Sequence, residues 1–286
     1  MEYNKAIVDK VCDTIVHAGS TFLPDKKRAY EKAIDKESNE QARWVLQTIL
    51  ENAEVAERNH SPLCDDTGIP HIVLEVGPNA SVTGRVLESI KEGVRQGLRI
   101  LPGRPMAIKG DDAQRIAQSE GMYEDSGMLY AAPILIRSTE EETLRVQVLM
   151  FGGGPAIRAH THRVFHKHKV ETVIDQIVEW ATESTAQLGC TPCTLAVGVG
   201  RSHYEATAMM LQALVDGTYD KQSEMEAEIT ERVNEAHIGA LGLGGDTTIL
   251  ATFMKVGPQR ASGVRVVSVR PCCCFEPRIA SCEIDG

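Results

Sequence analysis

Ile49-Leu-Glu-Asn-Ala-Glu-Val-Ala-Glu57 leads, four residues on, into Pro62-Leu-Cys-Asp-Asp-Thr-Gly68 and then His71-Ile-Val-Leu-Glu-Val76. The first piece ends a segment whose apolar residues Val45, Leu46, Ile49 and Leu50 recur at helical spacing. Ser61-Pro62 breaks that pattern. The third piece reads as a strand, ended by Gly77-Pro78. Between them a cysteine and two aspartates are held between a proline and a glycine. Such a loop is constrained, which suits a ligand that must be held still.

Upstream, helical spacing predicts helices over 2–17, 25–35 and 38–58, the first two separated by Pro24. Downstream it predicts a helix over 83–98 with Thr83 as N-cap. Strands follow at 132–137 and 144–150, the second alternating, with one wet face. Gly152-Gly-Gly-Pro155 turns the chain into an amphipathic helix over 169–188. A strand at 194–200 runs into a glycine turn, helices cover 203–216 and 221–236, and strands at 247–254 and 264–270 lead to a cysteine-rich end. The expected fold is α+β: a helical N-terminal layer over 1–60, then a mixed β-sheet with packed helices, in one domain spanning 1–286.

Hydrophobic residues make up 42% of the 286, enough for a substantial core. The formal charge is −10 and no basic stripe is present, so nucleic acid is not an expected partner. Met1-Glu-Tyr-Asn-Lys-Ala6 has no basic-then-apolar leader, and no run approaches the roughly 20 apolar residues of a membrane span. The expectation is a cytoplasmic chain with no membrane contact. Eight cysteines in a reducing compartment then point to metal, catalysis or plain burial rather than disulfides.

Cys190 and Cys193 lie in Gly189-Cys-Thr-Pro-Cys-Thr194, and Cys272, Cys273 and Cys274 are consecutive in Arg270-Pro-Cys-Cys-Cys-Phe275. A C-x-x-C redox pair sits at a helix start after a strand, but here the apolar strand follows the pair. Soft thiolates suit zinc and iron–sulfur clusters alike. Cys12, inside a helix, and Cys282, near the end, read as ordinary buried thiols.

These segments together resemble the class I fumarase and L-tartrate dehydratase family, in its two-subunit form, over the α (N-terminal) subunit. Pro62–Gly68 resembles the family's Cys-Gln-Asp-Thr-Gly loop. Cys190-Thr-Pro before Ala196-Val-Gly-Val-Gly200 is similar to its Cys-Pro-Pro before a glycine-rich turn. Gly239-Ala-Leu-Gly-Leu-Gly-Gly-Asp-Thr-Thr248 resembles its Gly-Pro-Met-Gly-Leu-Gly-Gly-Lys-Thr-Thr. The resemblance implies a [4Fe–4S] cluster with one open iron, held by Cys64, Cys190 and a third cysteine. Counting back from Arg278-Ile-Ala280 selects Cys274, with Phe275 for the family's Trp; Cys272 and Cys273 remain alternatives. It further implies that Asp66 lies by the substrate, that Asp65 binds it, and that Arg99 holds a substrate carboxylate, a task a guanidinium performs bidentately. The implied reaction adds water to, or removes it from, a small dicarboxylate such as fumarate/malate or tartrate. The family's catalytic base lies in the β region, so the implied partner is a β subunit in an α2β2 assembly.

Several family motifs are altered. Ser126-Gly-Met-Leu stands for Thr-Gly-Asp-Asn, Phe151-Gly-Gly-Gly-Pro-Ala-Ile157 for Lys-Gly-Gly-Gly-Ser-Glu-Asn, Asp246 for a lysine, and Gln259-Arg-Ala-Ser262 for His-Thr-Ala-Ser. The pattern is that of a divergent paralogue, and the rival reading is a non-catalytic cluster- or metal-binding protein acting as a sensor or partner-binding module. Arg158-Ala-His-Thr-His-Arg163, continuing to His166 and His168, has no family counterpart. Arg158, His160 and His162 would bind substrate if the segment replaces the lost residues, with the histidines on one strand face. A separate metal site, such as zinc, and a plain solvated loop are the other readings.

Overall fold

The computed structural model describes residues 2–285; Met1 and Gly286, the outer limits of the expected single domain, lie outside the described residues. In chain order the elements are α1 (Lys5–Ser20), α2 (Pro24–Lys36), α3 (Glu40–Asn59), β1 (Ile69–Val76), α4 (Gly84–Ile100), α5 (Asp112–Ala117), β2 (Leu135–Ser138), β3 (Leu144–Phe151), α6 (Gly153–Ala156), β4 (His160–Phe165), α7 (Val170–Ala186), β5 (Cys193–Gly200), α8 (His203–Asp216), α9 (Glu224–Asn234), β6 (Ile249–Val256), β7 (Val264–Cys272) and β8 (Arg278–Glu283). The packing groups them into two compact units. Unit 1 takes the chain through Thr21, Glu54–Gly152 and the chain from Arg278; unit 2 takes Phe22–Ala53 and Gly153–Pro277.

Unit 1 is a four-stranded sheet in the order β2-β1-β3-β8, covered by α1 and α4. β1 runs parallel to β2 and antiparallel to β3, which pairs antiparallel with β8. Ile7, Val11 and Ile15 from α1 and Val86, Ile90, Val94 and Leu98 from α4 recur every fourth residue, so each helix presents one apolar stripe. They meet Ile72, Leu74, Val146, Val148 and Met150, the alternate residues of β1 and β3. Gly93 and Gly97 let the two helices approach closely. A Cβ at Gly97 would lie 2.5 Å from Ile15 Cβ, and one at Gly93 2.7 Å from Val11 Cβ. Thr83 caps α4, its side chain accepting the Val86 N–H, as its place before the apolar stripe predicts.

The expected wet face of β3 is instead half-buried. Arg145 and Gln147 on it join Arg137 around the buried Glu75 carboxylate. Burial alone would raise the Glu75 pKa, but these donors outweigh it and hold the group below its ordinary value.

Unit 2 is built on the sheet β4-β7-β5-β6, in which only β5 and β6 are parallel. Its core joins Val173, Ile174 and Ile177 of α7 to Leu195, Val197 and Val199 of β5 and Val267 and Val269 of β7. The glycine turn expected at the end of 194–200 does not form. β5 runs unbroken to Gly200, and its glycines lie under α8: a Cβ at Gly198 would meet the Ala206 carbonyl oxygen at 2.0 Å. Close helix packing explains these glycines without a ligand. Residues 160–165, for which the sequence also allows a solvated loop, form the edge strand β4.

Candidate functional site

In unit 1 the candidate loop joins α3 to β1. Leu63 is buried, and its N–H donates to the Gly19 carbonyl at 2.9 Å. Thr67 is buried, and its hydroxyl accepts the Arg104 N–H at 2.8 Å. Arg278, buried from the start of β8, donates through Nη1 to the Asp66 carbonyl at 2.9 Å. Gly68 closes the loop with φ +83°; a Cβ there would meet Arg278 Nη2 at 2.6 Å and the Phe151 backbone at 2.8 Å. Only glycine fits that conformation and space. Cys64 is therefore held from both sides while its side chain stays partly open, with Sγ 3.5 Å from Asp65 Oδ1. Asp65 is exposed and lies 3.4 Å from Arg104 Nη1, and Asp66 is half-buried.

Arg99, in the last turn of α4, grips Asp125 bidentately, Nε at 2.9 Å and Nη2 at 2.7 Å. That guanidinium, helped by the Gly127 N–H, pulls the Asp125 carboxyl down to about 2. Asp125 in turn caps the short 3-10 turn Ser126–Leu129. Arg99 thus fastens the altered Ser126-Gly-Met-Leu segment to α4, and a substrate carboxylate would have to compete with Asp125 for it.

In unit 2 two loops meet. Cys190 is exposed in the turn between α7 and β5. The next residue, Thr191, donates its hydroxyl to the Gly239 carbonyl at 2.5 Å, and its own carbonyl accepts the Leu241 N–H at 3.0 Å. The glycine-rich segment 239–245 is thereby tied to the cysteine turn. The Cys274 N–H donates to the Cys190 carbonyl at 2.8 Å. On the far side, Tyr30 Oη donates to the Cys274 carbonyl at 2.7 Å.

Cys272 has a different place. It ends β7 opposite Thr194, fully buried, with Arg270 Nη1 3.3 Å from its sulfur. Burial, only partly countered by Arg270, pushes its thiol up to about 12. Cys193 is core, so the two cysteines of the C-x-x-C are parted, one at the surface and one inside. Cys12 is buried as expected, and Cys282 is half-buried in β8.

The histidine segment forms a separate cleft of about 310 Å³ in unit 2. His160 and His162 do share one face of β4. Their rings lie 4.9 Å apart, each against Trp180, at 5.3 and 5.4 Å. Burial and the neighbouring His162 lower the His160 pKa. Arg158 is turned to the backbone, donating to the Gln187 carbonyl at 2.5 Å and the Gly154 carbonyl at 3.0 Å. His166 is buried beneath the following turn, Nε2 on the Ser262 carbonyl and Nδ1 accepting the His168 N–H. Among the described residues, no group of three or more His, Cys, Asp or Glu side chains is placed to hold a metal ion. No helix among them is long and apolar enough to cross a membrane.

The family model described as fumarate hydratase (Fumerase) matches residues 8–282. The chain belongs to the fumarate hydratase family. Its relatives include a protein of Methanocaldococcus jannaschii provisionally named L(+)-tartrate dehydratase subunit alpha, 30% identical over 86% of this chain and 88% of that one. The L(+)-tartrate dehydratase subunit alpha of Escherichia coli K12 is 22% identical over 88% of this chain and 83% of its own length. A provisionally named class I fumarate hydratase of Geobacillus stearothermophilus is 26% identical, over 83% of this chain and 47% of that longer protein. Hydratases and dehydratases are hydro-lyases, and this is a hydro-lyase chain.

Within this family frame the structure adds residues that sequence reasoning left unassigned. Arg278 served only as a motif marker, yet it anchors the Cys64 loop. Lys26 and Tyr30 sit in a charge-rich helix, and the only signal that they face inward is their spacing with Ala33. Asp246, in place of the family's lysine, accepts the Ser38 N–H at 2.9 Å and so ties down the turn between α2 and α3.

Proposed function

We propose that the chain is the α subunit of a two-subunit hydro-lyase acting on a small dicarboxylate of the fumarate/malate or tartrate type, with a [4Fe–4S] cluster on Cys64, Cys190 and Cys274. The observation that carries the ligand choice is the Cys274–Cys190 backbone hydrogen bond. It brings one cysteine of the triplet to the exposed Cys190 turn, while Cys272 is sequestered in the sheet. The donors suit the group, since thiolates are the usual ligands of iron–sulfur clusters. When bound, such a cluster supplies an open iron that polarises a hydroxyl as a Lewis acid.

The chain's own residues do the holding. Leu63, Thr67, Gly68 and Arg278 fix the Cys64 loop, leaving Asp65 and Asp66 to orient substrate beside it. Arg99 offers a fork for a carboxylate if Asp125 yields it. The base that moves the proton is expected from a β subunit, as the relatives' designation as alpha subunits supports.

The test is anaerobic reconstitution of cysteine variants, with iron and sulfide measured per chain. Cys64→Ser, Cys190→Ser and Cys274→Ser should each lose the cluster, while Cys12→Ser and Cys272→Ser keep it. Equal iron in all five would sink the ligand assignment. A wild-type chain that takes up no cluster would favour the non-catalytic reading.

A further inference from the structure

No part of Lys26 reaches solvent. It lies on α2, one turn before the equally buried Tyr30, and Ala33 completes the inward face of a helix otherwise rich in charge. Lys26 Nζ donates to the Glu276 carbonyl at 2.8 Å and stands 4.2 Å from the centre of the Phe22 ring. With the Tyr30 bond to the Cys274 carbonyl, this seats the buried face of α2 on the loop of residues 273–277.

The nearby carboxylate of Glu276 is already engaged, held by Arg270 at 2.5 Å with both side chains out of solvent. Among the described residues Lys26 forms no ion pair with a carboxylate. A buried ammonium without one costs several kcal/mol, of which a carbonyl and a ring face recover only a part. Burial accordingly lowers the Lys26 pKa to about 8. The ammonium thus lies against the loop that carries Cys274. An unneutralised cation is built in behind this loop, and a doubly positive iron–sulfur core with three thiolate ligands would be net negative.

We infer that Lys26 is the built-in counter-charge of the cluster, a positioning residue that acts through the Cys274 loop and sets the cluster's affinity for an electron. The inference rests on the cluster reading above. Fe–S potentials respond to local charge, so removing the cation makes reduction harder. In the apo chain the same substitution removes the cost of burying an ammonium, which should offset the lost bond to the Glu276 carbonyl.

The experiment compares full-length wild type, Lys26→Met and Lys26→Arg, each reconstituted anaerobically. Iron and sulfide content, the cluster's midpoint potential by EPR-monitored titration and the thermal midpoint of the apo chain are measured. Lys26→Met should show a lower potential than wild type, Lys26→Arg should restore it, and the apo Met variant should melt no lower than wild type. A folded Lys26→Met chain that takes up no iron, while Lys26→Arg loads, supports the inference equally. A loaded Lys26→Met chain with the wild-type potential overturns the inference and leaves the cluster reading standing. A wild-type chain without a cluster overturns both.

Discussion

Arg270 and Glu276 form an ion pair within the cysteine loop, with the guanidinium 3% and the carboxylate 0% exposed. Removing one partner of such a pair leaves the other charge buried and uncompensated, at a cost of about 3–5 kcal/mol. Glu276→Gln should therefore lower the urea midpoint of the apo chain by a corresponding amount, while Arg270→Met with Glu276→Leu should recover much of the loss. If the single variant unfolds at the wild-type urea concentration, the pair does not carry that weight. At this scale the sequence revealed the loops better than their supports. A cysteine between a proline and a glycine announces itself in Pro62–Gly68. Apart from its spacing with Tyr30 and Ala33, nothing local distinguishes Lys26 from its neighbour Lys27, because burial of a lysine is decided by what packs against it from far along the chain. The triplet is similar: three identical residues in a row differ only in that one ends a strand and another turns toward Cys190.

The contact between α1 and α4 shows how a helix pair depends on missing atoms. Alanine is the better helix former by about 1 kcal/mol, so Gly97→Ala would stabilise an isolated α4. In the packed pair its Cβ would lie 2.5 Å from Ile15 Cβ and 2.9 Å from the Cys12 carbonyl oxygen. Overpacking of this kind costs about 1–3 kcal/mol, so the net expectation is destabilisation, measured as a lower thermal midpoint. A rise would mean that the helices separate easily. The long amphipathic elements were legible because their stripes are regular; α8 covers His203–Asp216 as its spacing predicts. The elements that escaped are short or polar. β4 carries two histidines and an arginine, and α5 is a six-residue helix set by a capping box at Asp111 and Gln114. The Gly198 and Gly200 positions misled for a physical reason: glycine marks both turns and close approach, and here α8 lies across them.

For the molecule as a whole, the β-subunit reading makes one prediction. The reconstituted chain alone should give no detectable turnover of fumarate, malate or tartrate, and adding a separately purified β subunit of the family should restore it. Turnover by the single chain would show that it holds its own base. The α+β class and family were readable from the sequence, but the pairing of β8 with β3 was not. Arg278–Glu283 has too few β-forming residues to declare itself, and its partner lies far back in the chain. That pairing also has a bearing on synthesis. The last strand of unit 1 leaves the ribosome after all of unit 2 has been made, so α1 and β3 must wait with one sheet edge open. A message cut short just before codon 278 would yield a chain with all of unit 2 but with one edge of β3 permanently unpaired, a natural substrate for chaperones and proteases.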